Sequence, residues 1–156
     1  MRDYQIEDIN KIVELLVGPL LVFTIAAIFI GLALLIVLLI GRIKLFNKAG
    51  YAGWKAIIPI YGNYIQDVKI SGLHWAFFVA EEIVFFGWVS SIVTIVVKAM
   101  SFYNLANKCH GDPIPASIFG GIFAGIVTTI YGLSNSISYD SSVKVSSCSF
   151  FNNLIK

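Results

Sequence analysis

The amino-acid sequence predicts an all-α integral membrane protein, with about three transmembrane helices and a short interfacial helix after the first. Three observations lead there. Charged residues are 13% of the 156, apolar ones 58%, and mean hydropathy is +0.84; ordinary soluble domains carry about 25% charge. A run of 26 residues, Leu15 to Ile40, holds no charge at all. The remaining charges cluster at the edges of apolar stretches. A soluble chain this small exposes too much surface to cover with so few charges, and a bilayer removes that requirement.

Residues 1–14 are polar and mostly acidic, with Asp3, Glu7, Asp8 and Glu14 against Arg2 and Lys11. Ile6, Ile9, Ile12 and Val13 recur at helical spacing, so a short amphipathic helix is expected. The first span is 15–40. Its stretch Leu20 to Ile40 holds 16 Leu, Ile, Val or Phe residues, which favour insertion by about 5–10 kcal/mol. A secretory signal would carry a basic leader and an apolar run of only about 7–15 residues; an uncleaved helix is expected instead.

Residues 41–66 are basic, aromatic and rich in glycine. Trp54, Tyr61 and Tyr64 favour the headgroup level, and Lys48 and Lys55 can extend their ammonium groups there. With Trp75 these are the expected interfacial anchors. Pro59 breaks any helix through Ile57 and Ile58, so 54–66 reads as a short element lying in the interface. Lys48-Ala-Gly-Tyr-Ala-Gly-Trp54 is echoed by Lys69-Ile-Ser-Gly-Leu-His-Trp75, each a lysine, a glycine break and a tryptophan before an apolar run.

The second span is 73–97, with Glu81 and Glu82 inside it. Its 14 Leu, Ile, Val and Phe residues gain about 4–8 kcal/mol, while two central acids cost about 5–7. The helix is marginal alone and must lean on the first. Glu81 and Glu82 are the candidate functional acids, because a carboxylate within a membrane is a functional hypothesis by default. The plainer alternative is an interfacial pair, solvated or held by Lys55 or Lys69. The third span is 114–134, where Gly121-Ile-Phe-Ala-Gly125 forms a GxxxG that permits close helix approach. A Ser-rich polar tail, 135–156, is expected to be poorly ordered. The 15–134 stretch thus forms one membrane domain.

Five cations, Arg42, Lys44, Lys48, Lys55 and Lys69, lie between the first two spans. The positive-inside rule places that loop in the cytoplasm. Three spans then put the N-terminus outside, the C-terminus inside, and Cys109 and Cys148 on opposite faces. No cofactor is expected: the two cysteines lack metal-ligand spacing, and Cys109-His-Gly-Asp112 is too compact and incomplete for zinc. A net charge of +2 argues against nucleic acid.

Phe46-Asn-Lys-Ala-Gly-Tyr-Ala-Gly-Trp-Lys-Ala-Ile-Ile-Pro-Ile-Tyr-Gly-Asn-Tyr64 resembles the signature K-A-G-x-x-G-W-x-x-x-I-P-x-Y of a family of small, uncharacterised bacterial membrane proteins, often labelled signal peptidase I. The resemblance is strong at Lys48 to Tyr64 and loose onward to Tyr139, through Ser71-Gly-Leu-His-Trp75, Leu105-Ala-Asn-Lys108 and the glycine-rich segment from Gly120. The chain departs from the family at Glu81-Glu82, where the family is apolar, and in its tail. The resemblance implies architecture and leaves activity open. Signal-peptidase chemistry needs a serine nucleophile and a lysine base within reach. Here the order is Met100-Ser101 with Lys98 three residues earlier, and there is no room for the catalytic domain.

The expected function is therefore non-enzymatic: a small multi-span protein of the cell membrane, associating with lipid, with a membrane-protein partner or with copies of itself. A transport or ion-conducting component using Glu81 or Glu82 is the second reading. A membrane-acting toxin or immunity protein is the third.

Overall fold

The computed structural model describes residues 2–83 and 88–146, and side chains within them except at 2–16, 83 and 88–90. The described residues are all-helical, with no strand among them. They divide into two compact units, Met1–Ile36 and Val37–Lys156.

Helix α1, Arg2–Lys48, is continuous for 47 residues. The amphipathic segment, the apolar run and the first part of the basic stretch are thus one element, and the helix runs on past the expected end of the first span at Ile40. Within α1, Val17–Lys48 is long and apolar enough to cross a membrane, with a mean hydropathy of 3.1 in its most apolar window. It is the one such helix among the described residues. Pro19 sits inside it. The residues of the first unit whose side chains are described are exposed, Leu20 to Ile36 among them.

In the second unit α1 ends in a glycine cap. Gly50 takes φ +80°, the left-handed conformation that costs glycine least. The Tyr51 amide reaches back to the Phe46 carbonyl at 2.9 Å and the Gly50 amide to Asn47 at 3.1 Å, the paired bonds of a Schellman stop. A 3₁₀ turn, Gly53–Ile57, and helix α2, Pro59–Tyr64, follow. Pro59 opens α2, where its missing N–H costs nothing. Helix α2 runs directly into a π-helical turn, Ile65–Ile70, which ends at Gly72 with φ +78°. The sequence echo therefore has a structural counterpart: each lysine-glycine pair closes a helical segment with a left-handed glycine.

The expected second span is not one helix. It is divided into α3, Trp75–Ile83, and α4, Trp88–Lys108. Glu81 Oε1 lies 3.0 Å from Lys98 Nζ. Seventeen residues of straight helix would part their backbones by about 25 Å, so the chain reverses between them. The expected third span is also divided, into α5, Pro113–Ile122, and α6, Ala124–Leu133, meeting at Phe123, whose φ of −122° and ψ of 49° leave the helical region. A methyl added to Gly111 would lie 3.1 Å from the Tyr131 hydroxyl. Twenty residues of straight helix would hold these about 30 Å apart. Helices α5 and α6 form a hairpin of two ten-residue arms, each about 15 Å long.

Glycine sets the packing. A side chain on Gly120 would overlap the Phe102 ring of α4, and one on Gly132 would overlap the Gly41 carbonyl of α1. Of the GxxxG glycines, a side chain on Gly121 would stand 3.0 Å from the Ile95 carbonyl, whereas Gly125 has Leu38 at ordinary contact distance. Close approach is thus spent within the chain, at Gly41, Gly120 and Gly132. Leu45, Phe46, Ile65, Ile70, Phe102, Leu105, Val127 and Tyr131 join one core.

The helix ends gather together. Lys48 Nζ donates to the carbonyls of Tyr131 at 2.8 Å, Ile137 at 3.1 Å and Ser134. The Asp140 amide donates to the Lys108 carbonyl at 2.8 Å. Residues Lys48, Lys108 and Asp140 therefore share one end of the second unit, whereas three full spans would separate the second connection from the tail. The expected opposition of Cys109 and the tail fails for this reason; Cys148 itself lies outside the described residues. The tail to Ser146 is packed against this end, with Ile137 and Tyr139 against the core and Tyr139 Oη donating to the Ile70 carbonyl at 2.9 Å.

Candidate functional site

The most concentrated chemistry lies where the π-helical turn meets α3 and α4. The sequence there is Ile65-Gln-Asp-Val-Lys-Ile70, a polar pair amid apolar residues. In this wider turn the amide of Ser71 bonds the Gln66 carbonyl, five residues back, at 2.9 Å. Gln66 and Asp67 are both buried as a result, Asp67 completely, at 0% exposure.

Asp67 is the hub. Lys98 Nζ donates to its Oδ2 at 2.7 Å and Ser101 Oγ donates to its Oδ1 at 2.7 Å. Residues 98 and 101 are one helical turn apart, so α4 presents both to the same carboxylate. Ser71 Oγ lies 2.8 Å from Ser101 Oγ. The single hydroxyl proton of Ser101 is committed to Asp67, so Ser71 is the donor in that pair. Lys98 also bonds Glu81 Oε1 at 3.0 Å. Two carboxylates thus share one ammonium, and Glu81 Oε2 is buried with no hydrogen-bond partner among the described residues.

A second chain of contacts adjoins it. Arg42 Nη2 donates to Asn63 Oδ1 at 2.6 Å, and Asn63 Nδ2 reaches Glu82 Oε1 at 3.4 Å. Gln66 Nε2 donates to Thr128 Oγ1 at 3.2 Å, tying the turn to α6. These groups tie α1, α2, the π-helical turn, α3, α4 and α6 together through charge and amide contacts.

Of the expected site residues, Glu81 is at the centre of this cluster and Glu82 at its edge. Neither is held by Lys55 or Lys69; the cation is Lys98. Among the expected anchors, Trp54, Tyr61 and Trp75 are exposed, Trp54 by 61%. Tyr64 is half-buried, edge-on to Phe78 with ring centres 5.5 Å apart. Lys55 is half-exposed. Lys48 is not free to extend into a headgroup layer, since its ammonium closes the carbonyl end of α6.

Asp67, Ser71, Arg42 and Asn63 are not among the sequence candidates for the site. One signal was present: Gln66-Asp67 interrupts an apolar run at a spacing that no solvated helix face requires. Lys98 and Ser101 were weighed only as a catalytic pair. Here both serve Asp67, and an ammonium held by two carboxylates is a donor, whereas a base must be free to accept a proton. No protein-family model, curated protein or solved structure matches the chain.

Proposed function

We propose that this is a non-enzymatic membrane protein, anchored by α1, whose second unit lies half-embedded in one leaflet and associates with lipid. One observation carries the reading: the second unit leaves large apolar side chains exposed on two sets of elements. Trp54, Ile57, Ile58, Ile60 and Tyr61 are exposed on the 3₁₀ turn and α2, and Ile114, Ile118, Phe119, Ile122, Ile126 and Ile130 on the hairpin. Exposed apolar surface of this extent marks an interaction site. Hairpin arms of about 15 Å match half of a hydrocarbon core of about 30 Å.

Charge supports the orientation. Nine of the eleven Lys and Arg residues follow Ile40, and the ends of α1, α4 and α6 share one face. The positive-inside rule then places everything after Ile40 on the cytoplasmic side and the N-terminus outside. The topology becomes one span plus a re-entrant unit. The likeness to the small-membrane-protein signature fits this reading, since Lys48, Gly50 and Pro59 are the residues that end α1 and start α2.

The test is extraction and labelling. The protein is expected to float with vesicles and to resist alkaline carbonate. With Cys109 and Cys148 both replaced by Ala, a Ser136→Cys thiol should stay unlabelled by an impermeant maleimide in intact cells, and a Gln5→Cys thiol should label. Labelling of Ser136→Cys from outside would overturn the half-embedded topology.

A proton or cation path through Glu81 is the second reading, favoured by its buried Oε2, which has no hydrogen-bond partner among the described residues. Glu81→Gln should abolish flux in proteoliposomes if that path operates; unchanged flux removes it.

A further inference from the structure

Resting on the half-embedded reading, we propose that the groove between α5 and α6 holds the acyl chain of a phospholipid whose headgroup carries an ammonium. The groove has a volume of about 360 Å³, within the range of ligand sites. Its walls are apolar, built by Ala116 and Phe119 of α5 facing Val127 and Ile130 of α6. Phe119 and Ile130 are each more than half exposed, so the groove is open along its side. A chain can enter laterally from a leaflet without crossing water.

The groove ends at Gly111 and Asp112. A methyl on Gly111 would stand 3.1 Å from the Tyr131 hydroxyl, so glycine keeps this mouth open. Two lysines at this end point inward: Lys48 is held by three carbonyls, and Lys108 Nζ by the Ile70 carbonyl at 2.8 Å and by Tyr139 Oη at 3.3 Å. Lys144 is exposed on the tail, four residues beyond Asp140. The acids remain outside. Asp112 is exposed, and Asp140 keeps 40% of its side chain exposed beside His110, 3.5 Å away. Hydrogen bonds from Ser142 hold the Asp140 carboxyl below its ordinary range, so it is ionised wherever the protein works near neutrality. An apolar slot with the Asp112 carboxylate at its end, and Asp140 beside the adjoining His110, favours an ammonium headgroup over an anionic one.

The experiment reconstitutes the full chain, with Trp54, Trp75 and Trp88 replaced by Phe and carrying Phe119→Trp, or Ile130→Trp as an independent probe, in phosphatidylcholine vesicles. It titrates brominated-chain phosphatidylethanolamine against brominated-chain phosphatidylglycerol. The added tryptophan should be half-quenched at a mole fraction at least threefold lower for the ethanolamine lipid. Asp112→Asn with Asp140→Asn should bring the two lipids together. Equal quenching with the acids intact, or a preference that survives their removal, overturns the proposal. So does quenching that appears only in a chain ending at Ser146, which would assign the groove to the last ten residues. A protein that does not enter the vesicles at all instead fails the half-embedded reading.

Discussion

Lys48 and Lys98 are lysines of the same apolar unit, and they are satisfied in opposite ways. Lys48 lies at the end where α1, α4 and α6 terminate, and it donates to three backbone carbonyls of α6 and the turn beyond it. The exposed carbonyls of a helix C-terminus carry partial negative charge, and nearby solvent can screen what remains. Lys98 lies ten residues before the end of α4, about 15 Å deeper. There it is clasped by Asp67 and Glu81. The difference shows that near an end neutral acceptors suffice, whereas at depth a cation needs a full counter-charge. The polar cluster is therefore the cost of placing Lys98 and Asp67 inside, and each depends on the other.

Removing Lys98 should produce the largest effect. Lys98→Met leaves Asp67, at 0% exposure, with an uncompensated charge, and a loss of about 3–5 kcal/mol is expected. Thermal unfolding in detergent measures it. Adding Asp67→Asn to Lys98→Met should return much of that loss. If Lys98→Met is as stable as the parent, the clasp does not hold the fold.

Lys48→Met sharpens the comparison from the other end. It removes charge-assisted bonds to carbonyls that water can partly replace, so about 1–2 kcal/mol is expected. A loss matching that of Lys98→Met would erase the distinction drawn between the two lysines.

His110 offers a smaller gain. It occupies φ 53°, and the Gly111 amide reaches back to the Ala106 carbonyl at 2.9 Å, repeating the stop that Gly50 provides for α1. A side chain in that conformation costs about 1–2 kcal/mol. His110→Gly should therefore stabilise by up to about 1 kcal/mol, less the small contribution of the exposed Asp140 contact. Equilibrium unfolding with and without the substitution checks the sign.

The smallest effect at neutral pH concerns Cys109. Burial pushes its thiol up from an ordinary 9.0 to about 11, against the pull of Lys48 and Lys108. Between those values the unfolded chain has lost a proton that the folded chain retains. Stability should be level below pH 9 on this account and fall as pH rises towards 11. Cys109→Ala should flatten that slope, and iodoacetamide should modify Cys109 slowly until the protein is denatured. Rapid alkylation of the folded protein at neutral pH would refute the buried assignment.

Local chemistry made several elements readable. The apolar run in α1 stands out because nothing but helix packs 26 uncharged residues, largely β-branched and leucine, through an apolar medium. Pro59 at the start of α2 and the left-handed glycines after Lys48 and Lys69 follow from single-residue conformational preferences. Glu81 stood out because an acid among apolar residues demands a partner. The identity of that partner was not local. Lys98 is 17 residues away, and only a chain reversal brings it to Glu81.

The same reasoning explains the misread spans. Hydropathy over 73–97 and 114–134 measures how apolar a segment is and carries no record of where it folds back. Phe123 has no special backbone chemistry, so nothing in the residue itself announces the break between α5 and α6. The hairpin exists because Gly120 admits Phe102, Gly132 admits the Gly41 carbonyl, and Lys48 gathers the returning end. Likewise it is the π-helical turn that brings Asp67 inside, to 0% exposure.

By itself the sequence determined an all-helical chain, one helix apolar and long enough for a membrane, and the helix start at Pro59. Those properties depend on composition and on residues adjacent in the chain. The tertiary structure alone decided that the later apolar segments are folded hairpins, that the helix ends meet on one face, and that Asp67, Glu81 and Lys98 form one buried cluster. Each of those outcomes rests on contacts between residues far apart in sequence, whose free energy exists only once the chain has closed around them.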